Sequence, residues 1–271
     1  MQIEISNRPA LSVVIITLNA ARVLPDCLAS VRFADEILVV DSGSTDGTQV
    51  IAEAAGARIV QKEWLGFGKQ KQFAVEQAQF DWVLCLDADE RVSAPLAAEI
   101  QNFMAQAHLP TTAFVARFAR CNRFLGRYLR HGEGYPDWNT RLFHRAHAHW
   151  ADVPVHEHVV SAEAVITLPG DLLHHSQESL AAYLGKQNRY TSLQAEALFA
   201  QAQTGQTKPL QGWRLWRKLV FSAPVRFIRF YVFRLGFLDG VAGFTHIAIG
   251  SFFTFIKYAK LLALELEHHK Q

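Results

Sequence analysis

The stretch VLCLDADER, Val83 to Arg91, places three carboxylates directly behind an apolar run. The residues Val83 to Leu86 have the composition of a strand that is buried on both faces. Asp87, Asp89 and Glu90 then follow at the point where such a strand would end. Core packing gives no reason for this clustering, so the acids either lie in a solvated turn or bind a positively charged group.

Working outward, the first hundred residues alternate between apolar, β-branched runs and stretches of helical periodicity. This alternation is typical of βαβ units around a parallel sheet. Helix-capping residues support it, since Ser44 and Ser93 precede two of the helical stretches and Pro95 follows the second cap. The predicted strands are Leu11–Thr17, Glu36–Val40, Arg58–Val60 and Trp82–Leu86.

The composition indicates one large domain, or one domain with an appendage. The chain has 271 residues, half of them hydrophobic, and a net charge of +2. Seven Lys or Arg residues and no acid lie between Lys208 and Arg234. This basic, aromatic segment indicates an anionic partner surface, either a membrane or a nucleic acid.

Cysteine usage and the N-terminus both favour a cytoplasmic location. The chain has three cysteines, without the spacing of a disulfide framework or a zinc ribbon. The first sixteen residues carry charges and lack a small-residue cleavage site, so they do not resemble a signal peptide.

Polar residues gather at the ends of three predicted strands. Thr17 and Asn19 follow the first strand, and the segment from Asp41 to Thr48, with Ser42 and Asp46, follows the second. A polar turn would use the same residue types. In an open parallel sheet, however, ligands bind at the carboxyl ends of the strands, and a carboxylate there can accept hydrogen bonds from a base or a ribose. The chain has neither a dinucleotide fingerprint nor a P-loop.

Asp87 and Asp89 offer another way to neutralise a diphosphate. Mg²⁺ and Mn²⁺ prefer carboxylate and phosphate oxygens, and Mg²⁺ usually takes one or two carboxylates together with substrate phosphates. Lys71, in the segment GFGKQK, could contact phosphate or be merely solvated.

The motifs VVIITLN, VVDSGSTDGT and LCLDADE resemble the nucleotide-binding half of family 2 glycosyltransferases, which have the GT-A fold. The later pieces WNTRLFHR, VHEH, LLHHS, KQNRYTSLQA, GFLDGVAGF and FIKYAKL resemble bacterial lipopolysaccharide core β-1,4-glucosyltransferases that act on inner-core heptose. The resemblance implies a mixed, Rossmann-like α/β sheet flanked by helices, and an inverting transfer of glucose from UDP-glucose. It also implies a divalent metal, Mg²⁺ or Mn²⁺, and a lipid-anchored saccharide acceptor.

The resemblance also implies roles for individual residues. Asp41 would bind uracil or ribose, and Asp87 would face the ribose. Asp89 would ligate the metal and His174 would complete its shell, although a structural histidine is an equal alternative. Glu90 receives no role. The residues assigned to the nucleotide sugar are Thr17, Asn19, Asp41, Ser42, Asp46, Lys71 and Asp87.

An inverting transfer also needs a base near the acceptor hydroxyl. Glu157 is the first choice, followed by Asp137 and His156, with a surface acid of no function as the alternative for Glu157. Trp138 and Arg141 would bind the acceptor, since aromatic rings stack on sugars and Arg binds phosphate. For Trp150 we favour a buried structural role.

The predicted domain organisation is a catalytic domain over residues 1–205, with a nucleotide-sugar half (1–110) and an acceptor half (111–205). A long helix is predicted from Glu178 to Gly205. Residues 206–271 form a basic, aromatic helical tail, in which Pro224 should break or kink the first helix. The stretch 240–256 has 17 residues without a charged side chain, which is marginal for a membrane span.

The tail predicts peripheral contact with the inner face of the inner membrane, where cations meet anionic headgroups, and no nucleic-acid partner. Helical packing on the catalytic domain or on another subunit is the alternative. Three competing functions remain: a metal-dependent hydrolase using His156, His158 and His174, a family 2 transferase with a different acceptor, and a non-catalytic membrane scaffold.

Overall fold

The structure is a computed structural model that describes residues 8–106, 113–153, 157–175, 179–205, 210 and 212–268. Contacts divide the chain into two compact units. The first comprises Met1–Asn122 with Pro136–His175, and the second comprises Arg123–Tyr135 with Ser176–Gln271.

The strands expected in the first hundred residues are present, and each begins at the predicted residue. In chain order, the strands are β1 (Leu11–Thr17), β2 (Glu36–Asp41), β3 (Arg58–Gln61), β4 (Trp82–Asp87), β5 (Glu90–Val92), β6 (Val115–Phe124), β7 (Arg127–Tyr128), β8 (Asp137–His144), β9 (Ala148–Trp150), β10 (Val159–Ser161) and β11 (Val165–His174). The helices are α1 (Leu24–Ser30), α2 (Thr48–Ala54), α3 (Phe67–Gln77), α4 (Ala94–Gln106), α5 (Leu180–Gln203), α6 (Gly212–Ile228) and α7 (Gly240–His268).

The main sheet is mixed. Its order is β3-β2-β1-β4-β8-β6-β11-β5, with β7 paired to the end of β6. The pairs β1–β2, β1–β4 and β2–β3 are parallel, whereas β8 runs antiparallel to both β4 and β6. A mixed α/β sheet of the GT-A type, flanked by helices, is therefore confirmed.

Both faces of the sheet are buried because the parallel strands carry apolar residues at successive positions. In β1, Val13 and Ile15 belong to one core cluster, together with residues of α1 and α4. Val14 and Ile16 point to the opposite face, where they pack with residues of α3. This arrangement explains why the early strands read as continuous apolar runs rather than alternating ones.

The parallel register brings the polar strand ends to one edge. Thr17 pairs with Asp41 at the ends of β1 and β2, and Ile16 pairs with Asp87 at the end of β4. The loop beyond β9 also reaches this edge, because a Cβ on Gly68 would lie 2.7 Å from the backbone oxygen of Ala151. Only a residue without a side chain lets the first turn of α3 approach that loop so closely.

The second unit is built around α7, which packs against both α5 and α6. The helix α6 continues through Pro224 to Ile228, so of the predicted break or kink the break does not occur, and a π-helical turn follows over Arg229–Phe233. A 3-10 turn over Gly236–Asp239 then leads into α7. The segment Gly236–His268 is long and apolar enough to cross a membrane by length and composition, which alone is weak support for a span.

The compact units differ from the predicted domain division. The observed division falls after His175 because α5 packs along α7, and residues 123–135 join the C-terminal unit through hydrogen bonds to Asp239. The functional division at residue 205 stays a prediction.

Candidate functional site

Asp41, at the end of β2, organises the loop that follows it. Its carboxylate accepts hydrogen bonds from Thr17 Oγ1 (2.9 Å), from the Ser44 backbone nitrogen (2.8 Å) and from Gln49 Nε2 (2.7 Å). Burial opposes its ionisation, but hydrogen bonds from Ser44, Gln49 and Thr17 outweigh that effect, so the pKa of Asp41 lies below its ordinary value. A fixed anion therefore stands at this strand end.

The loops after β1 and β2 are joined by polar side chains. Asn19 adopts a left-handed conformation, with φ at 50°, and its Oδ1 accepts a hydrogen bond from the Thr45 nitrogen at 2.9 Å. Asp46 accepts hydrogen bonds from the Ala21 nitrogen (3.0 Å) and from Thr48 Oγ1 (2.5 Å). The residues predicted to bind the nucleoside are thus brought together into one rigid loop pair.

Ser42 is connected to the same edge through a residue that received no role from the sequence. Gln70, on α3, is fully buried, and its Nε2 donates to Ser42 Oγ at 3.1 Å. Gln70 Oε1 also accepts from the Leu65 nitrogen at 3.2 Å. Its place in GFGKQK, next to Lys71, was the only available signal, because a buried glutamine is not apparent from composition.

Lys71 lies at the centre of the site. This residue is buried, and its Nζ lies 3.0 Å from Asp87 Oδ1 and 3.3 Å from Glu157 Oε1. The ammonium also stands 4.9 Å from the centre of the Trp150 ring. A merely solvated Lys71 is therefore excluded. By contrast, Lys69, two positions earlier, is exposed and pairs with Asp152 at 3.4 Å.

Asp87 receives two buried cations. Arg141 Nη2 donates to its Oδ2 at 3.0 Å, and Lys71 Nζ donates to the same oxygen at 3.3 Å. Burial again opposes ionisation, but the charges of Arg141 and Lys71 outweigh it, so the pKa of Asp87 lies well below its usual range. Asp87 is a carboxylate at neutral pH.

Glu90, which had no predicted role, is fully buried and supports this arrangement. Its Oε1 accepts from Arg141 Nη2 at 2.9 Å and its Oε2 accepts from the Asp87 nitrogen at 3.0 Å. Arg120 Nη1 lies 3.7 Å from Oε1. Glu90 therefore orients Arg141 and fixes the turn from which Asp87 projects.

Arg141 is committed to these acids through Nη2 alone. Its Nε and Nη1 are buried without a hydrogen-bond partner among the described residues, and its guanidinium lies 5.4 Å from the Trp150 ring centre. Trp150 is itself buried, as expected, and donates from Nε1 to Cys85 Sγ at 3.3 Å.

The two predicted metal ligands lie side by side. His174 Nε2 is 3.2 Å from Asp89 Oδ2, and its Nδ1 lies 2.7 Å from Asn122 Oδ1. Both side chains retain some exposure, at 21% for His174 and 33% for Asp89. Within the described ranges, no group of three or more His, Cys, Asp or Glu residues is placed to hold a metal. One carboxylate and one imidazole therefore suit a cation that takes its other ligands from phosphate and water.

Glu157 borders an open cleft of about 310 Å³ at the same edge. The cleft is lined by Arg120, Trp138, Arg141, Trp150, Glu157 and His158, among others. A carboxylate beside a space of this size, facing an indole and an arginine, can accept a proton from a hydroxyl group placed there. The cleft is thus a candidate acceptor subsite.

The other predicted catalytic and acceptor residues have different surroundings. Asp137 forms an ion pair with Arg120, with Oδ2 2.8 Å from Nη2. Trp138 is about half exposed, and the guanidinium of Arg117 lies 5.3 Å from its ring centre. His156 lies outside the described residues.

Residues 12–167 match the family model described as "Glycosyl transferase family 2". An "Uncharacterized glycosyltransferase" of Rickettsia bellii (strain RML369-C) is 32% identical over 270 residues, covering 95% of this chain and 87% of the relative. The "Lipopolysaccharide core biosynthesis glycosyltransferase LpsC" of Rhizobium meliloti (strain 1021) is 32% identical over 265 residues, covering 93% and 91%.

Among solved structures, S. aureus TarS 1-349 in complex with UDP-GlcNAc aligns with a TM-score of 0.44 and 15% identity. This alignment covers 92% of the present chain and 81% of that chain.

Proposed function

This chain belongs to glycosyl transferase family 2, and we propose that it transfers glucose from UDP-glucose to a heptose of the lipopolysaccharide inner core. The observation that carries the proposal is the convergence of three strand ends on one edge, where Asp41 ends β2, Asp87 ends β4 and pairs with the buried Lys71, and Asp89 follows beside His174. A lipopolysaccharide core acceptor is supported by the similarity to LpsC over most of both chains.

The nucleotide would occupy the loops after β1 and β2. The hydrogen bonds that Asp41 and Asn19 accept within these loops preorganise backbone and side-chain groups for a base and a ribose. Asp87 is held ionised by Arg141 and Lys71, so it can accept hydrogen bonds from ribose hydroxyls.

A divalent metal, Mg²⁺ or Mn²⁺, fits the donors present. Asp89 and His174 would hold it, and the metal would neutralise charge on the leaving diphosphate. Asn122 orients His174 through the hydrogen bond between Asn122 Oδ1 and His174 Nδ1. The other ring nitrogen, Nε2, is then directed at Asp89.

The reaction is an inverting, single displacement. The acceptor hydroxyl oxygen forms a bond to the anomeric carbon as the bond from that carbon to the diphosphate oxygen breaks. Glu157, at the border of the cleft, accepts the hydroxyl proton, and the nucleoside diphosphate leaves with the bonding pair. Trp138 would contact the acceptor from β8, and Arg141 would hold an anionic group of it.

A lipid-anchored acceptor requires the enzyme to work at a membrane, on the cytoplasmic face of the inner membrane. The helix α6 supports this location, because Trp213 and Trp216 are exposed and stacked, with ring centres 5.2 Å apart. Exposed cations lie on the same helix, at Arg214, Arg217 and Lys218. The hydrolase alternative finds no support in the family match or in the metal donors of the described residues.

Mass analysis of lipopolysaccharide from a deletion strain tests the proposal. We expect loss of one core hexose, with restoration by the wild-type gene and none by Asp89→Ala. An unchanged core, together with loss of a hexose from another glycolipid or polysaccharide, would instead support a family 2 transferase with a different acceptor.

A further inference from the structure

The turn between α6 and α7 exposes an unusual amount of apolar surface. We refer to residues 232–244, which span the end of the π-helical turn, the 3-10 turn and the start of α7, as the apolar tip. Phe233 is 77% exposed and Val241 is 80% exposed. The exposed large apolar residues of the tip are Val232, Phe233, Leu235, Phe237, Leu238, Val241 and Phe244.

The backbone that carries these exposed side chains is closely packed. A Cβ on Gly236 would lie 2.7 Å from the backbone oxygen of Phe230, and one on Gly243 would lie 2.7 Å from Asp239 Cβ. Asp239 is buried, and its Oδ2 accepts from the nitrogens of Arg130 (2.9 Å) and His131 (2.8 Å). The apolar side chains are therefore held outward by fixed turns, and contiguous exposed apolar surface of this kind marks an interaction site.

The exposed charged residues from 229 to 244 are all cations. Asp239 is the one acidic residue in the sequence from 212 to 264, and it is buried. Exposed cations come from Arg229, Arg234 and Arg127, and Arg127 Nη2 donates to the Leu238 backbone oxygen at 2.9 Å. Apolar side chains ringed by cations match the boundary between acyl chains and anionic headgroups.

We propose that the apolar tip inserts into the interfacial region of a bilayer that contains anionic lipids, with Arg127, Arg229 and Arg234 at the level of the phosphates. This inference rests on the proposed membrane contact and deepens it. The sequence alone indicates α6 as the membrane-binding element, whereas the structure assigns insertion to the 232–244 turn. A second copy of this chain is a poorer occupant, since a two-fold interface would place like cations against one another.

The test uses the full-length protein and liposomes of phosphatidylcholine with or without phosphatidylglycerol. The wild type should float with the anionic liposomes. The double variant Phe233→Ser with Val241→Ser should bind them at least about tenfold more weakly, because two fully inserted apolar side chains are lost. Val50→Ser is the matched control, since Val50 is 68% exposed on α2, and it should bind as the wild type does.

A second variant probes the charges independently of insertion. Arg229→Gln should weaken binding to anionic liposomes and leave binding to neutral ones unchanged. Equal binding of the wild type and the double tip variant would overturn the proposal. So would retention of the wild type in membranes after alkaline carbonate extraction, which indicates a spanning helix.

Light scattering without lipid compares the molar mass of the wild type with that of the tip variant. A difference between them would also overturn the proposal, since it identifies a second copy of the chain as the occupant of the tip. Release of UDP from a water-soluble donor is a separate readout. Tip variants should still release UDP. If the wild type does not release UDP, that result would count against the proposed function and leave the liposome result standing.

Discussion

His174 Nε2 lies 3.2 Å from Asp89 Oδ2, and the two side chains meet because β11 pairs antiparallel with β5, with His174 opposite Glu90. The contact joins the turn between β4 and β5 to the C-terminal end of β11. A carboxylate and an imidazole in contact at the edge of a sheet form a two-ligand site for a cation that also binds phosphate.

Replacing His174 with Ala should weaken Mn²⁺-dependent UDP binding by more than about 10-fold, because loss of a group that only orients a metal ligand already costs about 10–100-fold in metal affinity. Titration calorimetry with UDP at fixed Mn²⁺ measures the effect. Asn122→Ala, which removes only the partner of Nδ1, should give a smaller loss. Unchanged UDP affinity in His174→Ala would remove His174 from the metal site.

Lys71→Met should destabilise the fold, because it leaves Asp87 with Arg141 as its remaining cation. Breaking a fully buried ion pair on one side costs about 3–5 kcal/mol of unfolding free energy. Because Asp87 is 24% exposed and keeps Arg141, we expect a smaller loss, measured by urea denaturation, that still exceeds the loss in the control. Lys69→Met, on the same helix, is the control. Its exposed ion pair with Asp152 should contribute less than about 1 kcal/mol. Similar losses in both variants would contradict the buried position of Lys71.

The Asp87 carboxyl should make the free energy of unfolding depend on pH in the acidic range. Its pKa in the folded protein is depressed, because Arg141 and Lys71 outweigh the effect of burial. Its contribution is therefore complete above the unfolded pKa of about 3.9 and is lost as the pH falls through the lower, folded value. The free energy of unfolding of the wild type should fall more steeply below about pH 4 than that of Asp87→Asn. Parallel slopes would show that Asp87 is not paired in this way.

Glu157→Gln should lower kcat by about 10²–10⁴-fold, the range expected for a general base, with little change in the KM for the donor. Steady-state release of UDP in the presence of acceptor provides the measurement. Asp137→Asn provides the comparison, since Asp137 is paired with Arg120. If Asp137→Asn loses more kcat than Glu157→Gln, the base has been assigned to the wrong carboxylate.

Much of the fold could be predicted from the sequence because β1, β2 and β4 are buried on both faces. Such strands are continuous apolar runs, and each observed strand begins where its run begins. The polar residues behind Thr17, Val40 and Leu86 were likewise expected at one edge, since parallel strands place their carboxyl ends together.

The rest depends on contacts between distant parts of the chain. Glu90 looked like an unexplained third acid because its partner, Arg141, comes from β8, whose antiparallel position next to β4 has no local sequence signal. The packing of residues 123–135 with α7 depends on Asp239, more than a hundred residues away. Pro224 inside α6 shows that tertiary packing can override a local breaker.

Under the proposed function, this edge of the sheet binds a uridine nucleotide together with a divalent metal. Thermal unfolding of the wild type with UDP, with and without Mn²⁺, tests it most directly. We predict a rise in Tm of roughly 5 °C at saturating UDP and Mn²⁺, with little change for either alone and none in Asp89→Ala. No rise with UDP and Mn²⁺ together, or an equal rise in Asp89→Ala, would contradict the account.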